Sequence, residues 1–449
     1  MKKKLLSCLL AVGLCAAAIT GCGDNGKTDD VHKDSQETPD TGSDLQAEDE
    51  VQEPGAEELT AELNIWSSGE ELQRFVEGFN EIYPGVKVNI TVIPNQEFLS
   101  KLTPVLSSGK DVPDIFTGES DYVRYLVNAG VWDDLYGEIY DGSAEKVNDV
   151  WDYVKDVGTD DTGALRALSW QTTPGSVIYR RDLAQKVLGV SEPEEVAQYL
   201  TSYDKMLETA AKFKENGITM FASWEDVLLM ALSYRDHAWV EDGKLVIDQK
   251  MIDFLDFIKE SNSKGYDLNV SEWAPEWIAG VEGSDVFCYV LPTWGYSFVI
   301  KANAKETMGQ WGMCEGPNPY INGGTWLGIY KDSPNKEAAW AFLEYVTLNG
   351  EALTEYSKEY GEYVAVKTAD SALALEAGEE NLAGQNLYQF YNGIMEQKPH
   401  VTITEYDGQI NTAYKAAATA YATGRISKED AVKQFKDDVA TSYPELIVE

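Results

Sequence analysis

Apolar positions change period in a regular succession along the first folded stretch of this chain. Leu63-Asn64-Ile65-Trp66 reads as a short buried strand. Leu72, Phe75, Val76, Phe79 and Ile82 then recur at helical spacing until Pro84-Gly85, and Ser68-x-x-Glu71 ahead of them has capping-box spacing. Residues 86–93 alternate as a second strand, and a strand–helix–strand succession implies parallel pairing. A second helix carries Phe98, Leu99, Leu102, Val105 and Leu106; Pro113-Asp114-Ile115-Phe116 opens a third strand, followed by a helix near 122–129. Thr159-Asp160-Asp161-Thr162-Gly163 predicts a hairpin turn returning through 165–170. Beyond a polar turn at 170–175 come a strand at 176–179, a largely helical stretch over 181–265 and a strand at 286–291. Turn-forming residues at 292–296 and 316–324 bracket the approach to a strand at 325–330. A helix with Ala338, Ala339, Phe342, Leu343 and Val346 inward follows, and the C-terminal region predicts helices over 406–423 and 428–443. The alternation predicts an α/β chain.

The N-terminal region has a different pattern. Lys2, Lys3 and Lys4 precede an apolar run over 5–19, too short to span a bilayer as a stable helix, which is the layout of a secretory signal peptide over 1–21. The small residues of Ile19-Thr20-Gly21-Cys22 resemble a bacterial lipobox. That likeness implies an acylated Cys22, carrying palmitate or similar chains, as the mature N-terminus on the extracellular face of the cell membrane. At about 0.8 kcal/mol per buried methylene, several chains make a durable anchor. Residues 22–58 are almost devoid of apolar side chains and rich in Asp and Glu, which predicts an acidic disordered tether. The phosphate-loop pattern Gly21-x-x-x-x-Gly26-Lys27-Thr28 straddles the cleavage site with neither strand nor helix beside it, so it is rejected.

The remaining stretch of about 390 residues exceeds what one core usually supports, so two domains are expected. A formal charge of −40 argues against nucleic acid as a partner and against electrostatic binding to an anionic surface. Once the signal has left and Cys22 is acylated, Cys288 and Cys314 remain, as either a disulfide or two buried thiols. His32, His237 and His400 are the only histidines, so no zinc site is expected, nor any cofactor.

In element order the chain resembles a family-1 extracellular solute-binding protein of a carbohydrate ABC importer, the class that contains maltose-binding protein. The likeness rests on Asn64-Ile65-Trp66, on Pro113-Asp114-Ile115-Phe116 and on Ser176-Val177-Ile178-Tyr179-Arg180-Arg181-Asp182-Leu183. It continues through Leu291-Pro292-Thr293-Trp294, Gly323-Gly324-Thr325-Trp326-Leu327-Gly328-Ile329, Tyr406-Asp407 and Tyr443-Pro444. Tyr363-Val364-Ala365 departs from it, since relatives often carry a proline there. The resemblance implies a two-lobed periplasmic-binding-protein-like fold, with discontinuous lobes joined by hinge strands around a ligand cleft. Lobe one is expected over 59–168 plus 296–346 and lobe two over 169–295 plus 347–449. Implied partners are a carbohydrate, the transmembrane subunits of an ABC permease and, through the anchor, the membrane; the protein is expected to be a monomer.

A sugar presents C–H faces that stack on flat aromatic rings and hydroxyls that donate and accept hydrogen bonds. Trp66, Trp170, Trp224, Trp294 and Trp326 stand beside polar or glycine-rich loop residues, whereas Trp340 lies in a helical apolar run that suits a core. Ligands in open α/β sheets bind beyond the carboxyl ends of strands. That rule puts Trp66, Ser67, Ser68, Gly118, Glu119 and Asp121 on one rim; Ser68, Glu70, Gln171, Glu225, Asp226 and Thr325 stand beside the tryptophans as polar partners, and Gly323 and Gly324 allow close backbone approach. Glu119 and Asp121 also suit the first turn of the helix after them, and Arg235 suits a surface ion pair. Three other readings compete. A lipid-anchored glycoside hydrolase needs two carboxylates about 5–9.5 Å apart, but acids are too abundant for such a pair to be informative, and no G-x-S-x-G elbow occurs. A binding protein for a non-sugar ligand such as a peptide, or for an anion, fits an acidic, Trp-rich rim less well. A passive adhesin gives no reason for the layout. The chain is therefore read as a sugar-capturing binding protein with no catalytic residues.

Overall fold

The computed structural model describes residues 59–140, 143–283, 285–376, 378–399 and 403–449. The signal segment, Cys22, the acidic tether, the rejected phosphate-loop pattern, His32 and His400 lie outside the described residues.

The first sheet forms as the alternation predicts. Strand β1 (Ala61–Ser67) buries Leu63 and Ile65, and β2 (Val86–Val92) lies parallel to it with Ala61 opposite Val86 and Ser67 opposite Val92. The crossover between them starts as a 3-10 turn, Glu71–Phe75, and continues as the α-helix Val76–Ile82. Ser68 does not cap it: Glu70 occupies the cap position without a side-chain bond, and the Ser68 hydroxyl donates to Glu119 instead. Helix Asn95–Ser108 buries Phe98 and Leu102, ends on the left-handed Gly109, and leads to β3 (Ile115–Glu119), parallel to β1. The predicted turn closes with Thr159 bridged to Leu165, ahead of β4 (Leu168–Ser169).

The second sheet is built around β5 (Gly175–Arg180), with β6 (Thr219–Phe221), β9 (Val286–Pro292) and β10 (Trp311–Cys314); a small hairpin, β7 (Val240–Glu241) with β8 (Lys244–Leu245), stands apart. Its order is β10-β5-β9-β6, with β5 antiparallel to both neighbours. The last strand, β11 (Thr325–Ile329), returns to the first sheet, whose order is β2-β1-β3-β11-β4. Two apolar clusters form the interior: one runs from Leu63, Ile65, Ile115 and Phe116 of the first sheet onto Ile178, Tyr289, Leu291 and Trp311 of the second, and the other packs on the alternate residues of the second sheet, Val177, Phe287 and Val290, with Phe213.

Strand pairing shows where the chain passes between the sheets. The expected return at 296 falls too early, because β10 pairs with β5. The passage follows at 315–324, where Pro174 bridges Ile321. Helix Gly350–Tyr360, expected with lobe two, packs on the first sheet's crossover: Phe75 and Tyr356 stack at 4.4 Å, and Arg74 meets Glu362 at 3.4 Å. Thr172 donates to the Tyr363 carbonyl, Ala365 donates to that of Trp170, and Gln171 bridges Val364, so 170–172 and 363–365 run side by side. The turn-forming residues expected at 292–296 instead lead into a helical segment over 293–301, of which Gly295–Lys301 takes the wide π form. Cys288 on β9 and Cys314 on β10 flank β5 as free, buried thiols. Two strand spacings put them roughly 9–10 Å apart, beyond the reach of a disulfide.

Candidate functional site

Strands β1 and β3 end on the same edge of the first sheet, and antiparallel β11 begins there, with Thr325 opposite Glu119. Three chain segments thus converge where open α/β sheets bind ligands. Thr325 Oγ1 donates to the Glu119 carboxylate at 2.9 Å, the Ser68 hydroxyl donates to the same carboxylate, and Gln171 Nε2 donates to Thr325 Oγ1 at 3.4 Å. Ser68 N donates to Thr117 Oγ1 at 3.1 Å behind them. Burial pushes the Glu119 carboxyl up to about 7; the Ser68 and Thr325 hydroxyls oppose the shift, and the charges of Asp121 and Glu71 add to it.

The aromatic part of the site lies beside the Gly323-Gly324 turn. Both glycines sit at φ +105°, a conformation that L side chains rarely adopt. A Cβ on Gly323 would lie 3.3 Å from Trp294 Nε1, and one on Gly324 would lie 2.9 Å from the Trp326 ring. Trp294 is half-buried and stacks on Trp273 at 5.6 Å with 23° between planes. Trp273 is 55% exposed, with a positive φ of 65°, a strained setting for a large side chain. Trp277 supports Trp273 from below and donates its indole N–H to Asp226 at 3.0 Å.

Beyond this edge opens a cleft of about 740 Å³, lined by Leu99, Asp121, Tyr122 and Tyr125 from the first-sheet side and by Glu225, Leu228, Glu272, Asn322, Tyr406 and Lys415, among others, opposite. The two walls touch at its rim. Asn128 Nδ2 donates to Glu405 at 3.1 Å, and Gly408 comes so close to Asp121 that a Cβ there would sit 2.5 Å from its carbonyl oxygen.

The structure brings together Ser68, Glu119, Gln171, Gly324 and Trp294. Trp66 is partly exposed at the end of β1 and packs against the first core; Glu70 is exposed at the start of its turn, and Asp121 is exposed on the rim. Trp170, Trp224 and Trp326 occupy the interior, at 1%, 5% and 0% exposure. Trp326 donates its N–H to the Val154 carbonyl at 3.0 Å and meets Tyr153 edge-on, so it packs the wall beneath Gly324. Trp170 fills the crossing of 170–172 with 363–365, and Trp224 begins a helix whose next two acids face inward. Arg235, expected on the surface, is buried and pairs with Asp407 at 3.0 Å. Trp340 packs in the core, as expected. Trp273 was not singled out by sequence, although Glu272-Trp273-Ala274-Pro275 shows the same mark as the others, a tryptophan beside a polar loop residue. Among the described residues no group of three or more His, Cys, Asp or Glu is placed to hold a metal ion.

A two-sheet molecule with a polar sheet edge, a cleft between the sheets and a stacked indole pair beside the Gly323-Gly324 turn has the architecture of periplasmic-type binding proteins. The family model of bacterial extracellular solute-binding proteins matches residues 66–353, and the chain belongs to that family. No curated protein sequence matches it. Among solved structures, the chain is similar to the galacto-N-biose/lacto-N-biose I-binding protein of the ABC transporter from Bifidobacterium longum in complex with lacto-N-biose. Identity is 14% and TM-score 0.70, covering 89% of this chain and 100% of that one. It is also similar to the ABC transporter associated binding protein of B. animalis subsp. lactis with β-1,6-galactobiose, at 18% identity and TM-score 0.67, covering 86% and 98%. Maltose-bound MalE3 of T. maritima matches at 18% identity and TM-score 0.65, covering 85% and 99%. No helix among the described residues is long and apolar enough to cross a membrane.

Proposed function

We propose that this protein captures a sugar, an oligosaccharide in particular, in the cleft between its sheets and delivers it to the permease of an ABC importer without altering it. The observation that carries the reading is the stacked Trp273–Trp294 pair beside the Ser68–Glu119–Thr325–Gln171 network: flat apolar faces next to converging acceptors and donors, the two surfaces a sugar needs. Complexes of similar folds with lacto-N-biose, β-1,6-galactobiose and maltose support it. The site we infer consists of Trp66, Ser68, Glu70, Glu119, Asp121, Gln171, Trp273, Trp294 and Gly324, with Trp170, Trp224 and Trp326 as the packing that holds it. A lipid anchor at Cys22 keeps a monomer on the extracellular face of the cell membrane, beside its permease. A thermal-shift screen of neutral mono- and oligosaccharides, amino acids and short peptides tests the reading. A bound sugar at 100 times its dissociation constant stabilises by about 2.7 kcal/mol and is recovered intact. Stabilisation by a peptide alone, or recovery of cleaved sugar, overturns the reading.

A further inference from the structure

The far wall of the cleft is built from charge of one sign. Glu225, Glu272, Glu405 and Glu445 line it, Asp121 faces it from the first-sheet side, and Lys415, the one lysine or arginine among the described lining residues, already pairs with Glu225 at 2.6 Å. Glu225 is further occupied by the Glu272 backbone N–H at 3.1 Å and the Ser271 hydroxyl at 3.3 Å. Glu272 is left over: its Oε1 is shut off from solvent and takes no hydrogen bond. An unpaired buried carboxylate oxygen is destabilising, so a group that donates to it gains twice, by bonding and by neutralising. Burial and the neighbouring Glu225 charge push the Glu272 carboxyl up to about 7, and Lys415 only partly opposes them. That is the strain a positive donor relieves.

We infer that this wall is a subsite for an ammonium group, so that the captured ligand contains an amino sugar, its charged nitrogen donating to Glu272 while the adjoining ring lies on Trp273 and Trp294. The inference rests on the sugar-binding reading and deepens it. A hydroxyl satisfies one oxygen; an ammonium carries three donors and a charge opposite to the wall. A carboxylate-bearing sugar meets a net negative wall there, with Lys415 already paired to Glu225, and the −40 charge of the chain adds to the repulsion.

Calorimetric titration of the full chain tests this with matched sets: glucose, galactose, mannose and cellobiose; their 2-amino-2-deoxy counterparts; and glucuronate and galacturonate. In at least one set the amino sugar should bind at least tenfold more tightly than its neutral counterpart, with no uronate binding. Glu272→Gln should reduce that ratio at least fivefold, with retained far-UV circular dichroism confirming the fold; the ratio in the unmodified protein is decisive by itself. Neutral sugars binding as tightly as their amino counterparts, or a uronate binding as well, overturn the amino-sugar subsite and leave sugar capture standing. Failure of every sugar in all three sets, with a peptide or amino acid binding instead, overturns both.

Discussion

Glu119 loses more solvation on folding than the Ser68 and Thr325 hydroxyls return, so its carboxyl keeps its proton up to about pH 7, against an ordinary value of 4.5. Between those values the folded chain holds a proton that the unfolded chain releases. The resulting stabilisation is present at and below about pH 4.5 and is lost as pH rises through about 7. Glu119→Gln, which cannot ionise, should therefore gain in melting temperature relative to the parent as pH is raised across that window. A difference that stays constant would mean that the folded-state carboxyl is ionised throughout. Residue identity alone showed that Glu119 could serve the site; its shift comes from burial, opposed in part by Thr325, 206 positions away in sequence, and no local pattern encodes either. The tryptophans show the same limit. Trp294 and Trp326 share glycine-rich surroundings, yet one keeps an open face and the other spends its indole N–H on Val154 inside the wall. Trp273 was missed because its exposure follows from a left-handed backbone that its neighbours in sequence do not announce.

Elements with local causes were legible, and those made by distant pairing were not. The β1–helix–β2 unit, the helix ending at Gly109 and the 159–165 turn all follow from periodicity and turn residues. Strand β10 is four residues long and takes its sheet from β5, more than a hundred positions earlier, so its placement could not be read from its own sequence. The wide π turn at Gly295–Lys301 begins where Gly295 passes so near Leu291 that a Cβ would meet its side chain at 2.2 Å. Such turns cluster at functional sites, and this one sets the start of the helix that carries Trp294. The Gly323-Gly324 turn is the most sensitive joint between wall and site. Gly324→Ala adds a methyl group against the Trp326 ring at an unfavourable φ and should cost more than about 1 kcal/mol of stability, measured by urea denaturation. An unchanged midpoint would show that the turn relaxes freely.

At the scale of the molecule, two sheets that share one apolar cluster are joined by segments running side by side near Trp170 and Tyr363, and their walls meet again at Asn128–Glu405 and Asp121–Gly408. Contacts at both ends of the cleft leave a ligand enclosed between them, so binding is expected to favour this arrangement over a more open one. The proposed lipid anchor at Cys22 belongs to the same scale. Cys22→Ala should release the protein into the medium, read by fractionation of cells expressing each form; undiminished partition with membranes would remove the lipid anchor from the account. Calorimetry of Trp294→Ala with the cognate sugar, paired with its unfolding midpoint, shows whether sugar is held on the Trp273–Trp294 pair. Loss of a stacked face is worth about 1–3 kcal/mol, a roughly five- to 150-fold weaker affinity, with little change in stability. A variant that binds normally but loses about 3–5 kcal/mol of folding stability, as truncation of a core tryptophan such as Trp326 should, would contradict the account.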